Sequence, residues 1–169
     1  MTSFSASLDL DANGKPIYRG EYPFRTIKTI IFDGGTTDAW GDDGGALDGG
    51  AIFTVTGLIQ VKMLTRCIVD LVGGATVEIG ISGATAIFGA QITDTTLDAG
   101  EIWPHDTTPA TSFIIGEEQA AADNLPEYVL NGNDIILTTT TTNTTSGKIE
   151  VIALWAPLSD DGLLEDSGL

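Results

Sequence analysis

The chain is 169 residues long, carries seven Lys and Arg against 24 Asp and Glu for a net charge of −17, and is 42% hydrophobic. That length is one ordinary domain, able to bury about 70% of the surface its unfolded form would expose, and the apolar content excludes a disordered acidic tail. The charge excludes two partner classes as expectations: nucleic acid, whose phosphates are bound by clustered cations, and an anionic membrane surface.

From the start, Leu8 and Leu10 alternate with Asp9 and Asp11. Asn13-Gly14 is a turn signal, and Pro16-Ile17-Tyr18 resumes in extended form, as a short hairpin or an extended arm. Tyr18, Tyr22 and Phe24 surround Pro23 in a segment too irregular for a helix, and Arg25 to Phe32 reads as a strand. Asp33 to Gly50, almost wholly Gly, Asp, Thr and Ala around Trp40 and Leu47, reads as a long open loop. Strand signals then dominate: Ile52 to Met63, Cys67 to Val72, Thr76 to Ile81 after Gly73-Gly74, and Thr85 to Ile92 after the Ser82-Gly83-Ala84 turn. Glu101-Ile-Trp103-Pro104 follows a loop at Asp98-Ala-Gly100, and Phe113-Ile-Ile115 is short and apolar.

One helical turn or two is expected over Glu117 to Asp123, where helix formers follow two acids and stop before Pro126. Tyr128-Val-Leu130 leads through Asn131-Gly-Asn133 to the most regular part of the chain. Ile135 to Thr142 is β-branched apart from Leu137, while Ile149, Val151, Ala153 and Trp155 alternate with Glu150, Ile152 and Leu154. With Asn143-Thr-Thr-Ser-Gly147 between them, the two runs read as strands of one hairpin. About eight strands without long alternating helices predict an all-β antiparallel sandwich of jelly-roll type, with an extended N-terminal arm and at most one short helix. The division expected is an arm and first strand over residues 1–32, a sandwich over 33–158, and a loosely held acidic tail over 159–169.

Charge is unevenly placed. Residues 1–32 hold Lys15, Arg19, Arg25 and Lys28 against Asp9, Asp11 and Glu21, a net of +1; the rest holds three cations against 21 acids, a net of −18. Either the N-terminal cations pair with their own acidic body, or the segment docks on an acidic neighbour. In the docking reading the contacts are Tyr18, Arg19, Tyr22, Phe24 and Arg25, with Trp40 nearby as an aromatic anchor.

No catalytic signature stands out. Asp33, Asp38, Asp42, Asp43 and Asp48 lie in one Gly-rich loop, where calcium could find oxygen ligands, yet their spacing matches neither an EF-hand nor a nonapeptide repeat. A single His, His105, and a single Cys, Cys67, cannot build a usual zinc site without carboxylates or a second subunit, and no Gly-x-Ser-x-Gly elbow is present. Cys67 reads as a small buried apolar residue, and no intrachain disulfide is possible. The paired glycines lack the lysine and the strand-to-helix setting of a phosphate cradle. Trp40, Trp103 and Trp155 could stack sugars, although Trp155 alternates with core residues. The first residues lack the basic stretch and apolar core of a signal peptide, and no apolar run approaches the ~20 residues of a membrane span. Synthesis and folding in a host cytoplasm, without cofactor, are the expectation.

The order Phe32-Asp-Gly-Gly35, a Gly/Asp loop, Phe53-Thr-Val-Thr-Gly57, Thr76-Val-Glu-Ile-Gly80, Asp98-Ala-Gly-Glu-Ile-Trp103, Asn131-Gly-Asn-Asp-Ile-Ile-Leu137 and Leu154-Trp-Ala-Pro-Leu-Ser159 resembles small structural proteins of tailed bacteriophages. The resemblance spans about residues 30 to 160 and is one of β-strand texture. It implies a non-enzymatic head decoration or minor virion component on the capsid surface, in contact with the major capsid protein or other virion proteins. It also implies many copies, and a homo-oligomer such as a trimer suits jelly-roll packing around a local three-fold axis. A carbohydrate- or calcium-binding sandwich module of a tail or fibre is the alternative expectation.

Overall fold

A computed structural model describes residues 9–10, 16–17, 22–105, 109–111, 125 and 127–169. The strands are β1 (Asp9–Leu10), β2 (Pro16–Ile17), β3 (Phe24–Phe32), β4 (Gly50–Thr56), β5 (Leu58–Val72), β6 (Thr76–Ile81), β7 (Ala84–Thr93), β8 (Ile102–Trp103), β9 (Glu127–Asn131), β10 (Ile135–Thr140), β11 (Ser146–Pro157) and β12 (Leu163–Asp166). The one helical element among the described residues is a 3-10 turn at Asp94–Thr96. The expected helix over 117–123 and the apolar run at 113–115 lie outside the described residues.

Apart from the small β1-β2 pair, the strands form two antiparallel sheets, so the all-β sandwich expected from the strand pattern is the fold. One sheet has the order β12-β4-β10-β6-β7; the other runs β3-β11-β5, with β8 and β9 sharing the far edge of β5. Alternation dictates the packing, because successive side chains of a strand point to opposite faces. Ile149, Val151, Ala153 and Trp155 on β11 turn inward to meet Ile135 and Leu137 of β10, Val77 and Ile79 of β6 and Phe53 of β4 in a continuous core. Burying each large aliphatic side chain stabilises by about 1.5–3 kcal/mol.

Three expectations need correction. The runs at 135–142 and 149–155 do not form a hairpin: β10 pairs with β4 and β6, whereas β11 pairs with β3 and β5. The linker instead carries the chain across the sandwich, because Thr144 is drawn inside and both runs have an apolar face to bury against the other. Second, β5 is continuous through Leu64-Thr-Arg66, and the break falls earlier, at Gly57. That residue has φ 62°, and a Cβ there would press on Asp161 and Ser159, so only glycine makes this sharp passage between sheets without strain.

Third, the acidic tail is not loose. β12 adds to the edge of β4 with Leu164 paired to Val55 and buried, and Ser167 donates its amide to the Ile52 carbonyl at 3.2 Å. Lys28, on the inward face of β3, donates from Nζ to Asp166 Oδ1 at 2.6 Å and to the Leu169 carbonyl at 2.5 Å. A buried ammonium needs such partners, and the tail supplies both of those found here. Burial pushes the Asp166 carboxyl up, but the Lys28 hydrogen bond, the Gly168 amide and the Lys28 charge outweigh it and hold it below the usual carboxylate range.

One end of the sandwich is tied by a single carboxyl group. Asp94 is fully buried; its Oδ1 accepts from the Gly74 amide at 2.8 Å and its Oδ2 from the Thr144 hydroxyl at 2.8 Å. Asp94→Ala leaves the buried Thr144 hydroxyl without its acceptor, at a cost of about 1–3 kcal/mol, and removes the part-buried bond from the exposed Gly74, so a loss of about 1–3 kcal/mol is expected from the urea midpoint and slope. A variant within about 0.5 kcal/mol of the parent would remove Asp94 from this role. The tail gives a pH prediction. Because the folded Asp166 pKa is depressed, its stabilisation is complete above the unfolded value of about 3.9 and is lost as pH falls through the folded value. The Leu164 methyl NMR signals should shift toward solvent-exposed positions across that acid window, and Lys28→Met should abolish the dependence.

Candidate functional site

The expected interface residues are placed unequally. Tyr18 and Arg19 lie outside the described residues. Tyr22 is half-buried, with its hydroxyl donating to Glu127 Oε2 and Lys62 Nζ 4.9 Å from its ring centroid. Gln60 Nε2 donates to the other Glu127 oxygen and approaches the Tyr22 hydroxyl at 3.5 Å. The Tyr22 hydroxyl, with Gln60 and Lys62, holds the Glu127 carboxyl below its ordinary range. Phe24 stacks on Trp155 with centroids 4.7 Å apart and planes 26° from parallel, so it belongs to the edge of the core. Arg25 is exposed on the outward face of β3.

Trp40 corrects the reading of an open loop with an aromatic anchor. It is only 8% exposed and joins the core, and its carbonyl accepts from the Asp33 amide at 3.0 Å. The Gly/Asp loop closes over it. Gly34 donates to the Thr144 carbonyl at 2.9 Å, Thr144 donates to the Gly41 carbonyl at 2.9 Å, and Asn143 reaches Gly34 and Asp42. A Cβ at Gly34 would collide with the Gly41 and Thr144 carbonyls, which explains why glycine stands at this crossing.

The loop carboxylates are largely turned to backbone amides. Asp38 accepts from Ala46 at 3.1 Å, Asp42 from Asp38 at 3.1 Å, and Asp48 from both Gly44 at 3.2 Å and Thr139 at 2.9 Å. Among the described residues no three His, Cys, Asp or Glu side chains assemble in a metal-holding group. The other candidates are also structural in setting. Cys67 is buried with Sγ 3.2 Å from the Val69 carbonyl, and burial, with the Asp70 charge beside it, pushes the thiol up to about 11. Trp103 is 1% exposed and donates Nε1 to the Ala90 carbonyl at 2.8 Å; Trp155 is 6% exposed and donates to Thr26 Oγ1 at 3.0 Å. All three indoles are therefore inside, and none offers a face to a sugar.

What the fold does assemble is an outward sheet face. Register sets Arg25 beside Leu154 and Leu154 beside Lys62; Ile27 beside Ile152 and Ile152 beside Leu64; Thr29 beside Glu150 and Glu150 beside Arg66; Ile31 beside Lys148 and Lys148 beside Val69. Four of the five described Lys and Arg residues stand here, the fifth being the inward Lys28. Arg66 pairs with Glu150 at 3.1 Å and Lys62 with Glu127 at 3.4 Å, whereas Arg25 and Lys148 have no ion pair among the described residues. The other sheet presents outward threonine and acid: Thr138 beside Glu78, Thr140 beside Thr76, and Thr54 beside Glu165. Exposed ion pairs contribute about 0.2–1 kcal/mol each, so this distribution does little for stability. Its consequence is a directional surface potential.

Of this face, the interface expectation contained only Arg25. Lys62, Arg66 and Lys148 are more than 30 positions away in sequence and meet it only through strand register. A signal was available in β11, where Ile152 and Leu154 occupy the outward phase opposite Val151, Ala153 and Trp155. Comparison with protein-family profiles, curated proteins and solved structures finds no match.

Because Asp38, Asp42 and Asp48 already accept amide hydrogens, melting temperatures in excess calcium and in chelator should agree. A rise with calcium would mean that the loop rearranges to bind it.

Proposed function

We propose that the chain is a virion structural subunit, most specifically a capsid decoration or cement protein of a tailed phage, carried in many copies on the head surface. The observation that carries this reading is the gathering of four cations and an apolar row on one outward sheet face of a chain whose net charge is −17. An assembly subunit needs a scaffold, a charged exterior and one docking side, and an all-β sandwich of net charge −17 with two unlike sheet faces supports that reading. The resemblance in strand texture to phage structural proteins points the same way. Strand order supports a jelly roll, with β3-β11-β5 and the shared β8/β9 edge facing β4-β10-β6-β7, the order that two Greek keys generate. Partners are then the major capsid protein or another virion protein, with no catalytic step and no cofactor. Repeated modest contacts on a lattice add by multivalency, and a trimer about a local three-fold axis suits that arrangement.

A carbohydrate- or calcium-binding module of a tail or fibre would need an exposed indole or converging carboxylates. The buried Trp40, Trp103 and Trp155 and the amide-bound loop aspartates give that alternative no support.

The N-terminal segment is part of this proposal, with Tyr18, Arg19, Tyr22, Phe24 and Arg25 at or beside the contact. Because Phe24 packs on Trp155 and β3 is integral to its sheet, the informative truncation stops at residue 21. The full chain should co-sediment saturably with phage heads lacking it. Removal of residues 1–21 should abolish this binding and leave the urea midpoint of the sandwich unchanged. A truncated chain that binds like the full one would remove the arm from the interface, and a full chain that never binds heads would overturn the decoration role.

A further inference from the structure

The geometry points to a specific docking surface with a defined partner chemistry: the outward face of β3, β11 and β5 binds an acidic protein surface that has an exposed apolar centre. This rests on the assembly reading above and names the partner side of the same contact. At the middle of the face, Ile27, Ile152 and Leu64 form one uninterrupted apolar row across three strands, and Ile27 is 37% exposed. Solvated β-sheet faces ordinarily place polar side chains outward, so an unbroken apolar row there is a surface suited to being covered. Arg25 and Lys148 stand on either side of it, and neither has an ion pair among the described residues. A partner presenting carboxylates around an apolar patch meets both features at once.

Size and sign exclude a face-to-face pair of copies as the principal contact. From Arg25 to Ile31 the face runs about 20 Å along β3 and about 10 Å across to β5, from the ordinary residue rise and strand spacing. That footprint is well below the ~800 Å² per partner of a stable standard-size complex. A two-fold contact through the face would also set the cations of one copy against those of the other. A small contact that steers by charge and is repeated on a lattice fits the same features without either penalty.

Two measurements separate this inference from the reading beneath it. In the first, the full chain, Arg25→Glu/Lys148→Glu and Ile152→Glu are titrated onto phage heads lacking the protein, at low and high salt. The parent should bind and weaken steeply with salt, because exposed charges are screened beyond about 10 Å at 0.1 M. Each variant should bind at least about tenfold more weakly, as expected for interface anchors, while Thr140→Glu on the opposite sheet should bind as the parent does. Parent binding that survives both variants overturns the face and leaves the decoration role standing. In the second, the same proteins are passed over a mixed-mode resin bearing carboxylate and phenyl groups at pH 8 and low salt. The parent should be retained despite its net charge and the double reversal should flow through; equal behaviour of the two overturns the surface chemistry whatever the heads show. Matching far-ultraviolet spectra and urea midpoints identify variants that remain folded.

Discussion

The rest of the fold depends on one buried knot of hydrogen bonds at an end of the sandwich. The chain changes sheet at nearly every connection, so the loops joining β3 to β4, β5 to β6, β7 to β8 and β10 to β11 must all pass between layers there. Asp94 and Thr144 bind these passages to one another: the Asp94 carboxyl takes the Gly74 amide and the Thr144 hydroxyl, and the Thr144 backbone takes Gly34 and Gly41. Buried polar groups are tolerable only when paired, which makes such a knot strongly selective for one set of crossings. The Gly/Asp loop takes its shape from the same place. Its glycines let backbone approach backbone, its aspartates accept the amides left over, and Trp40 is carried inside as a result.

The opposite flank is closed by the tail. β12 covers the edge of β4, and its end supplies the Asp166 and Leu169 oxygens that hold the inward ammonium of Lys28. Edge strands are a liability because their unpaired backbone invites other strands. Here a four-residue strand with acidic neighbours covers one such edge. Lys28 thereby belongs to stability, and the remaining described cations are left to the outward face of the other sheet.

That division gives the molecule a side. The body is acidic overall, while one outward sheet face carries four of the five described cations around an apolar row. Among the described residues the outward face of the second sheet carries no Lys or Arg; threonines cover it together with the acids Glu78 and Glu165. Cys67 and the three tryptophans lie in the interior of the sandwich.

Period-two alternation was readable from the chain alone, most sharply in β6, and with it came the all-β class, the antiparallel sandwich and the core positions Ile149, Val151, Ala153 and Trp155. Composition alone likewise determined the acidic body and the lack of an intrachain disulfide. Pairing was not readable. A linker such as Asn143 to Gly147 can close a hairpin or cross a sandwich with the same residues, and the choice was made by Thr144 finding Asp94, 50 positions away. Trp40 looked exposed because its neighbours are polar, yet glycine and aspartate also build tight wired loops, and only the fold revealed what lay beneath. The tail looked loose for the same reason, until Leu164 met Val55 and Asp166 met Lys28. The outward face shows the limit most clearly: Arg25, Ile27, Leu64, Lys148 and Ile152 are scattered through the sequence, and strand register, a property of the tertiary structure, is what makes them one surface.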